Sequence, residues 1–488
     1  MCDGGLPPVT SEDDGHILAE VDPACVRRIH LVGVAGTGMA AFAGMLREAG
    51  YTVTGSDQNI FPPMSDLLRA WGIPVLTPYS PANLDVVEPD LVIIGNVLRR
   101  ANAEAAQVRA RRLPQMSFPA ALGSVFLRNR HPVVVVGTHG KTTVSALMAH
   151  VLVAAHRDSS FLLGGVTRNY GAGHRLGQGA HFVLEGDEYD TAYFDKGPKF
   201  LHYRPRTAIM TSIEFDHADI YGDLAHYETA FERFVRLLPR EGMLVVSAVY
   251  PNAVRIARSS VAAVVTYALS AEADYVARDV MLGPDGARFE VLERGLKLGT
   301  ARLAVGGAHN VENALGVIAA ARHLDLSVEE ILHGLATFAG VRRRQEVRAE
   351  VRGVTVIDDF AHHPTAVCKT IAAIRDTYPD RRLWAVFEPR SNTSRRNIHQ
   401  EEYGRAFDGA ACVRVRIPEP HDMVPPAQQL DVGRLTTGLR ARGIDAVGAR
   451  EVGVLVDDIA RSARPGDVVL VMSNGSFGDF VEKLIAAL

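Results

Sequence analysis

Residues 133–152, VVVVGTHGKTTVSALMAHVL, carry a β-branched strand into a glycine turn and then into a helix that opens with Lys-Thr-Thr. This arrangement constrains the fold more than any other part of the chain. A short apolar β-branched run bounded by turn residues is a buried strand, and a helix directly after it belongs to a β-α-β crossover in a parallel sheet. The turn also gathers backbone N–H groups at a helix N-terminus, where they can align on phosphate oxygens. Lys141 adds a point charge, and the Thr142 hydroxyl can coordinate Mg²⁺. ATP with Mg²⁺ is therefore the first ligand expected on Gly137, Thr138, His139, Gly140, Lys141, Thr142 and Thr143. The general phosphate-loop pattern has a further glycine where Val135 stands, so this is a shortened form. The competing reading is a strand–turn–helix that serves only as scaffold.

The 488 residues, 47% hydrophobic, suggest roughly three domains rather than one core. Net charge is −4, and no basic block or aromatic-basic stripe is present, so neither nucleic acid nor a membrane surface is an expected partner. Small anionic ligands stay open. The four cysteines, Cys2, Cys25, Cys368 and Cys412, lie far apart, which suggests neither a zinc site nor a disulfide framework. The polar, acidic start lacks an apolar signal region, and no apolar run approaches a membrane span. A cytoplasmic enzyme with a flexible leader over residues 1–27 is expected.

From Arg28 onward, short apolar runs such as IHLVGV, YTVTGSD and DLVIIGN alternate with amphipathic segments, the rhythm of a parallel sheet. A second series opens at Val133 and continues through HFVLEGDEYD and TAIMTSIEFDH, with strand-like segments from Met243 to Leu303. A third opens after FAGVRRRQEV with VTVIDDF, LWAVFEP, AACVRV and DVVLVMSNG. The expected architecture is three consecutive α/β domains. A Rossmann-like domain spans 28–130, a phosphate-loop ATP-binding domain 131–340 and a second Rossmann-like domain 341–488.

Beyond the phosphate loop, several segments carry chemistry. The turn Gly33-Val-Ala-Gly36-Thr37-Gly38, with Met39 after it, follows a strand and precedes a helix, so its amides suit a nucleotide diphosphate. Ser56 and Asp57 end the next strand, where a ribose-binding acid sits in dinucleotide folds; a nicotinamide-dependent dehydrogenase is the competing reading. Glu185, Asp187, Glu188 and Asp190 cluster after a strand as hard oxygen ligands suited to Mg²⁺. His217 at another strand end could complete a second metal site. His309, Asn310 and Asn313 fall on the first turn of a helix and could contact a base or phosphate, with helix capping as the alternative. Arg342, Arg343 and Arg344 precede Asp358, Asp359, His362 and His363; an arginine near a transferring phosphoryl group stabilises spreading charge. His362 and His363 are adjacent, so their side chains do not face one metal.

Taken in order, GTHGKTT, EGDEYD, EFDHAD, GAHNVENALG, FAGVRRRQE and DDFAHHPT resemble the motif series of the Mur ligases, ATP-dependent amide-forming enzymes of peptidoglycan metabolism. The resemblance spans nearly the whole chain. It implies that Lys141 holds the β- and γ-phosphates, and that Thr142 and Glu185 hold one Mg²⁺, with Glu185 and His217 around a second. His309, Asn310 and Asn313 would approach the base and sugar, and Arg344 and Asp359 would close over the nucleotide. GVAGTGM and AHHP point to the branches that take UDP-N-acetylmuramate itself, and the lack of lysine in residues 218–240, where other branches carry a carbamylated one, agrees. The alanine-adding branch carries PHRYSR and DYGHHP where this chain has PRSNTS and DFAHHP, which favours the branch that adds the tripeptide L-Ala-γ-D-Glu-meso-diaminopimelate. The implied reaction is attack of the lactyl carboxylate on ATP, then of the tripeptide amine on the acyl phosphate, in peptidoglycan recycling. UDP would rest on Gly33, Gly36, Thr37, Gly38, Met39, Ser56 and Asp57. Arg390, Ser391, Asn392 and His362 are expected to bind peptide. A monomer or homodimer is expected.

Overall fold

The computed structural model describes residues 25–61, 64–419 and 424–488. Most of the expected leader, and Cys2, lie outside them.

The first sheet is wholly parallel, in the order Val75–Leu76, Thr52–Ser56, Arg28–Val32, Leu91–Ile94, Gln115–Ser117. Strand order reverses beside Arg28–Val32, so the crevice outside its C-terminal end, where Gly33 to Gly38 lie, is the place where such a sheet receives a ligand. Helix Thr37–Glu48 packs back on the sheet through Ala40, Phe42, Met45 and Leu46, all fully buried.

The second sheet has ten strands. Its middle is parallel, with His131–Val136 between Thr207–Met210 and His181–Glu185. Val133 through Val136 are fully buried, which explains the unbroken valine run: helices cover both faces, so neither face can be polar. At one edge Tyr275–Gly283, Gly286–Glu293 and Leu296–Leu303 form an antiparallel meander. The strand signal over Met243 to Leu303 gave no sign of this change of direction, nor of the helix Pro251–Ala257 inside it.

In the third sheet, Glu346–Val351 pairs antiparallel with Val354–Asp359, followed in space by parallel Val468–Met472, Leu383–Phe387, Cys412–Arg416 and Asp445–Ala449. Three consecutive α/β sheets, with a phosphate-loop unit between two doubly wound ones, are the fold class expected. Among the described residues no helix is long and apolar enough to cross a membrane.

Candidate active site

The phosphate turn leaves the centre of the second sheet. Gly137 has φ +132°, and a Cβ there would lie 2.3 Å from Thr211 Oγ1, so a side chain cannot be accommodated. Gly140, φ +79°, caps the helix Lys141–Ala154 and leaves room for Asn313, whose Oδ1 lies 3.0 Å from where a Cβ would stand.

Lys141 Nζ donates to the Gly137 carbonyl at 2.6 Å and pairs with Glu188 at 3.0 Å. Glu188 is fully buried and also accepts from Tyr227 Oη at 3.1 Å, with His217 Nε2 2.9 Å away. Burial would raise its carboxyl, but Lys141 and His217 outweigh that and hold it at about 2. Burial likewise disfavours the His217 imidazolium, and Asp216 and Glu188 overcome it, so its pKa is raised. The direct hydrogen-bond partner of His217 is Glu188, while Glu185 and His217 line one cavity. Glu185 ends its strand and turns to Thr142, whose hydroxyl donates to Oε1 at 2.8 Å, and to the Gly164 N–H at 2.9 Å. Glu188, three residues on, faces the histidine. Asp190 leaves the cluster for Lys196, at 3.0 Å on the neighbouring strand.

Burial, with the Asp187 charge, raises the Glu185 carboxyl. A half-buried carboxylate and a buried hydroxyl on one cavity wall are a hard-oxygen pair that a divalent cation would satisfy, so Thr142 and Glu185 fit Mg²⁺. His217 lines the same cavity, as do Thr37 and Gly38 from the first sheet.

Beyond Gly140 a second cavity of about 280 Å³ is lined by Thr143, His309, Asn310, Asn313, Arg344 and Asp359. Asn310 donates to the Gly306 carbonyl at 2.7 Å, and Asn313 Nδ2 to Asn310 Oδ1 at 3.2 Å, so Asn310 supports the helix start and its partner. His309 Nε2 lies 3.2 Å from Gln345 Nε2, and burial lowers the pKa of this imidazole to about 4. Arg344 Nη2 donates to Thr142 Oγ1 at 3.0 Å, and its guanidinium lies 4.7 Å from the Phe360 ring centre. Asp359 accepts the backbone N–H groups of Gln345 and Ala361, each at 2.8 Å, and so holds the loop that carries Arg344.

One expectation at the first sheet, that for Ser56, is corrected. Ser56 is fully buried and donates to Glu104 at 2.9 Å, so its hydroxyl is enclosed by the protein. Asp57 accepts from Ala35 N at 2.9 Å and from Tyr79 Oη at 3.0 Å. One carboxylate oxygen thus holds the glycine turn, and the other is held by Tyr79 and by the Gln58 N–H. Met39 is 7% exposed and packs inward.

Arg390, Ser391 and Asn392 line a third cavity with Tyr189, His217 and Asn474. Asn392 donates to Asp219 at 2.9 Å, tying this loop to the central unit. His362 is not with them; its Nε2 lies 3.7 Å from Asp216 and it faces the Lys141 cavity.

Three family models match consecutive stretches: the Mur ligase family catalytic domain at residues 28–130, the Mur ligase middle domain at 135–321 and the Mur ligase glutamate ligase domain at 343–475. This chain belongs to the Mur ligase family. The UDP-N-acetylmuramate–L-alanyl-γ-D-glutamyl-meso-2,6-diaminoheptandioate ligase of Haemophilus influenzae is 37% identical to this Mur ligase over 95% of its length and 99% of the relative's. Its Escherichia coli counterpart is 38% identical over 94% and 98%. The crystal structure of a murein peptide ligase from Psychrobacter arcticus is 33% identical, covers 94% of this chain and 98% of its own, and superposes with a TM-score of 0.71.

In this Mur ligase, Gln345, Arg395 and Asn474 are site-lining residues that sequence reasoning did not single out, and Glu188, one of the acidic cluster, is the carboxylate that pairs with Lys141. Glu188 was visible in EGDEYD, but the path of the chain after the strand decides which carboxylate faces the lysine. Arg395 and Asn474 come from loops 79 positions apart that meet only at the ends of neighbouring strands.

Proposed function

We propose that this chain joins the lactyl carboxylate of UDP-N-acetylmuramate to the amino end of L-alanyl-γ-D-glutamyl-meso-diaminopimelate, with ATP converted to ADP and phosphate. The observation that carries the chemistry is one cavity lined by Lys141, Thr142, Glu185 and Arg344 from the nucleotide side and by Thr37 and Gly38 from the first sheet. The choice of tripeptide over L-alanine rests on the two nearly full-length relatives and on PRSNTS in place of PHRYSR.

A carboxylate oxygen is a poor leaving group and phosphate a good one. Attack of the carboxylate on the γ-phosphorus forms a C–O–P link and breaks the bond to ADP. The amine then adds to the acyl carbon, loses a proton and expels phosphate. Lys141 is placed to hold the β- and γ-phosphates, and Arg344 to stabilise charge spread over the transferring group. Mg²⁺ on Thr142 and Glu185 would neutralise phosphate charge. The N-terminus of helix Thr37–Glu48 suits the UDP diphosphate, and Arg390 with its third cavity suits a peptide carboxylate, which a guanidinium grips bidentately. His309 and Asn313 are assigned to the base and sugar. The setting is cytoplasmic recycling of cell-wall peptide.

The test is a mass measurement of products from ATP, Mg²⁺, UDP-N-acetylmuramate and a choice of amines. The tripeptide adduct with stoichiometric ADP is expected. An adduct with L-alanine alone would transfer the chain to the alanine-adding branch, and ADP release with no amine adduct would refute the ligase reading.

A further inference from the structure

Beside the phosphate turn lies a group of side chains that the reaction above does not use. His139 is the third residue of the turn, Glu214 follows strand Thr207–Met210, and His363 caps helix Pro364–Thr377 of the third unit. One ligand atom from each of the three lies within 4.8 Å of the other two. His139 Nε2 is 2.8 Å from Glu214 Oε2, and the two imidazole centroids are 4.5 Å apart.

His363 is the member of the group that the fold leaves least satisfied. His363 is 6% exposed, and its Nε2 has no hydrogen-bond partner. Its Nδ1 accepts the Thr365 N–H only at a long 3.3 Å, a weak cap that is given up when the ring takes the Nδ1–H tautomer and offers its Nε2 lone pair to a cation. An imidazole left this poorly satisfied in a buried position is costly unless something else engages it. Burial holds both imidazoles below the usual histidine range, hence neutral, as coordination requires. Thr365 Oγ1 donates to Glu214 Oε1 at 3.1 Å, which orients the carboxylate in the way an outer-shell partner does.

We propose that His139, Glu214 and His363 form a binding site for a transition-metal dication of the Zn²⁺ or Co²⁺ type, separate from the Mg²⁺ position at Thr142 and Glu185. Two imidazoles and one carboxylate are the donor set that such ions take with a fourth position open, whereas Mg²⁺ prefers oxygen throughout. Because His139 and Glu214 belong to the central sheet and His363 to the third unit, the bound ion clamps the two together next to the phosphate turn.

The test is titration of the full-length protein with Co²⁺ in the presence of excess Mg²⁺, followed by the visible d–d absorption of low-coordinate Co²⁺ and by the rise in Tm that Zn²⁺ gives when it binds only the folded chain. One equivalent of Co²⁺ is expected to produce the band. His363→Gln and, independently, Glu214→Gln should weaken binding at least about tenfold and abolish the Tm rise, because each removes a ligand. His362→Gln, one position away but turned toward Asp216, should leave both signals intact. Absence of the band in the parent protein, its persistence at full strength in either ligand variant, or its equal loss in His362→Gln overturns the site.

Discussion

Arg344 Nη2 donates to Thr142 Oγ1 at 3.0 Å, and the same hydroxyl donates onward to Glu185 Oε1 at 2.8 Å. A guanidinium from the segment leading into the third sheet thus ends on the first turn of the phosphate helix. The site is assembled only when the third unit sits against the central one.

Arg344 is half-buried, and desolvation lowers its pKa against the pull of Asp359 and Glu185. A desolvated positive charge aimed at a transferring phosphoryl group contributes mainly in the transition state. Arg344→Ala should therefore lower kcat by on the order of 10²–10³ with little change in KM for UDP-N-acetylmuramate. Arg344→Lys should restore little, since a point charge on a flexible stem cannot both donate to Thr142 and stack on Phe360. Steady-state kinetics of the two variants checks this, and a near-normal kcat in Arg344→Ala would remove the residue from the chemistry.

Glu188 faces two basic side chains, Lys141 at 3.0 Å and His217 at 2.9 Å, with no exposure to solvent. Removing one member of a buried ionic cluster leaves the others uncompensated, at a cost of about 3–5 kcal/mol. Glu188→Gln should lower the urea midpoint accordingly at neutral pH. It should also weaken activity, because Lys141 loses the carboxylate that directs it. Equal midpoints for variant and parent would mean that Glu188 is dispensable to the folded state.

Arg390 Nη1 donates weakly to the Asn474 carbonyl at 3.5 Å, and Arg395 Nε is buried without a partner. Both guanidinium groups line the cavity next to Tyr189 and His217 and retain donors for an anionic ligand. Arg390→Ala and Arg395→Ala should each raise KM for the tripeptide at least about tenfold, the scale of one charge-assisted hydrogen bond, and leave KM for UDP-N-acetylmuramate nearly unchanged. Equal rises for both substrates would refute the assignment to peptide.

The strand–turn–helix at residues 133–152 and the alternation of apolar runs were readable because burial on both faces of a parallel sheet demands them. Ser56 and Asp57 show where such reading stops. Their position after a strand suggested ribose contacts, but Glu104 and Tyr79 come from distant stretches to bond Ser56 and Asp57 respectively. The same limit explains Glu185 and Glu188. Acidic composition marks a cation-binding turn, while the turn's path, invisible in one sequence, assigns one carboxylate to Thr142 and the other to Lys141 and His217. His362 and His363 part for a simple reason: adjacent side chains at a helix start point to different neighbours, Asp216 for one and His139 for the other.

His131 opens the strand that leads to the phosphate turn, with Nε2 2.8 Å from Thr207 Oγ1 and its ring 5.5 Å from that of His181. Burial, reinforced by His181, Arg206 and His323, lowers its pKa to about 4, against 6.5 for an ordinary histidine. Between those two values the unfolded chain binds a proton that the folded chain refuses, so acid pulls the equilibrium toward unfolding. The contribution of His131 to stability is whole above 6.5, falls as pH drops through the window, and changes no further below about 4. Glutamine at this position keeps a donor for Thr207 and cannot become an imidazolium. Urea midpoints measured across the window should therefore fall less steeply in His131→Gln than in the parent, with the two converging in slope above it. Parallel curves throughout would mean that His131 charges as readily in the fold as outside it, and the acid sensitivity would have to come from another group.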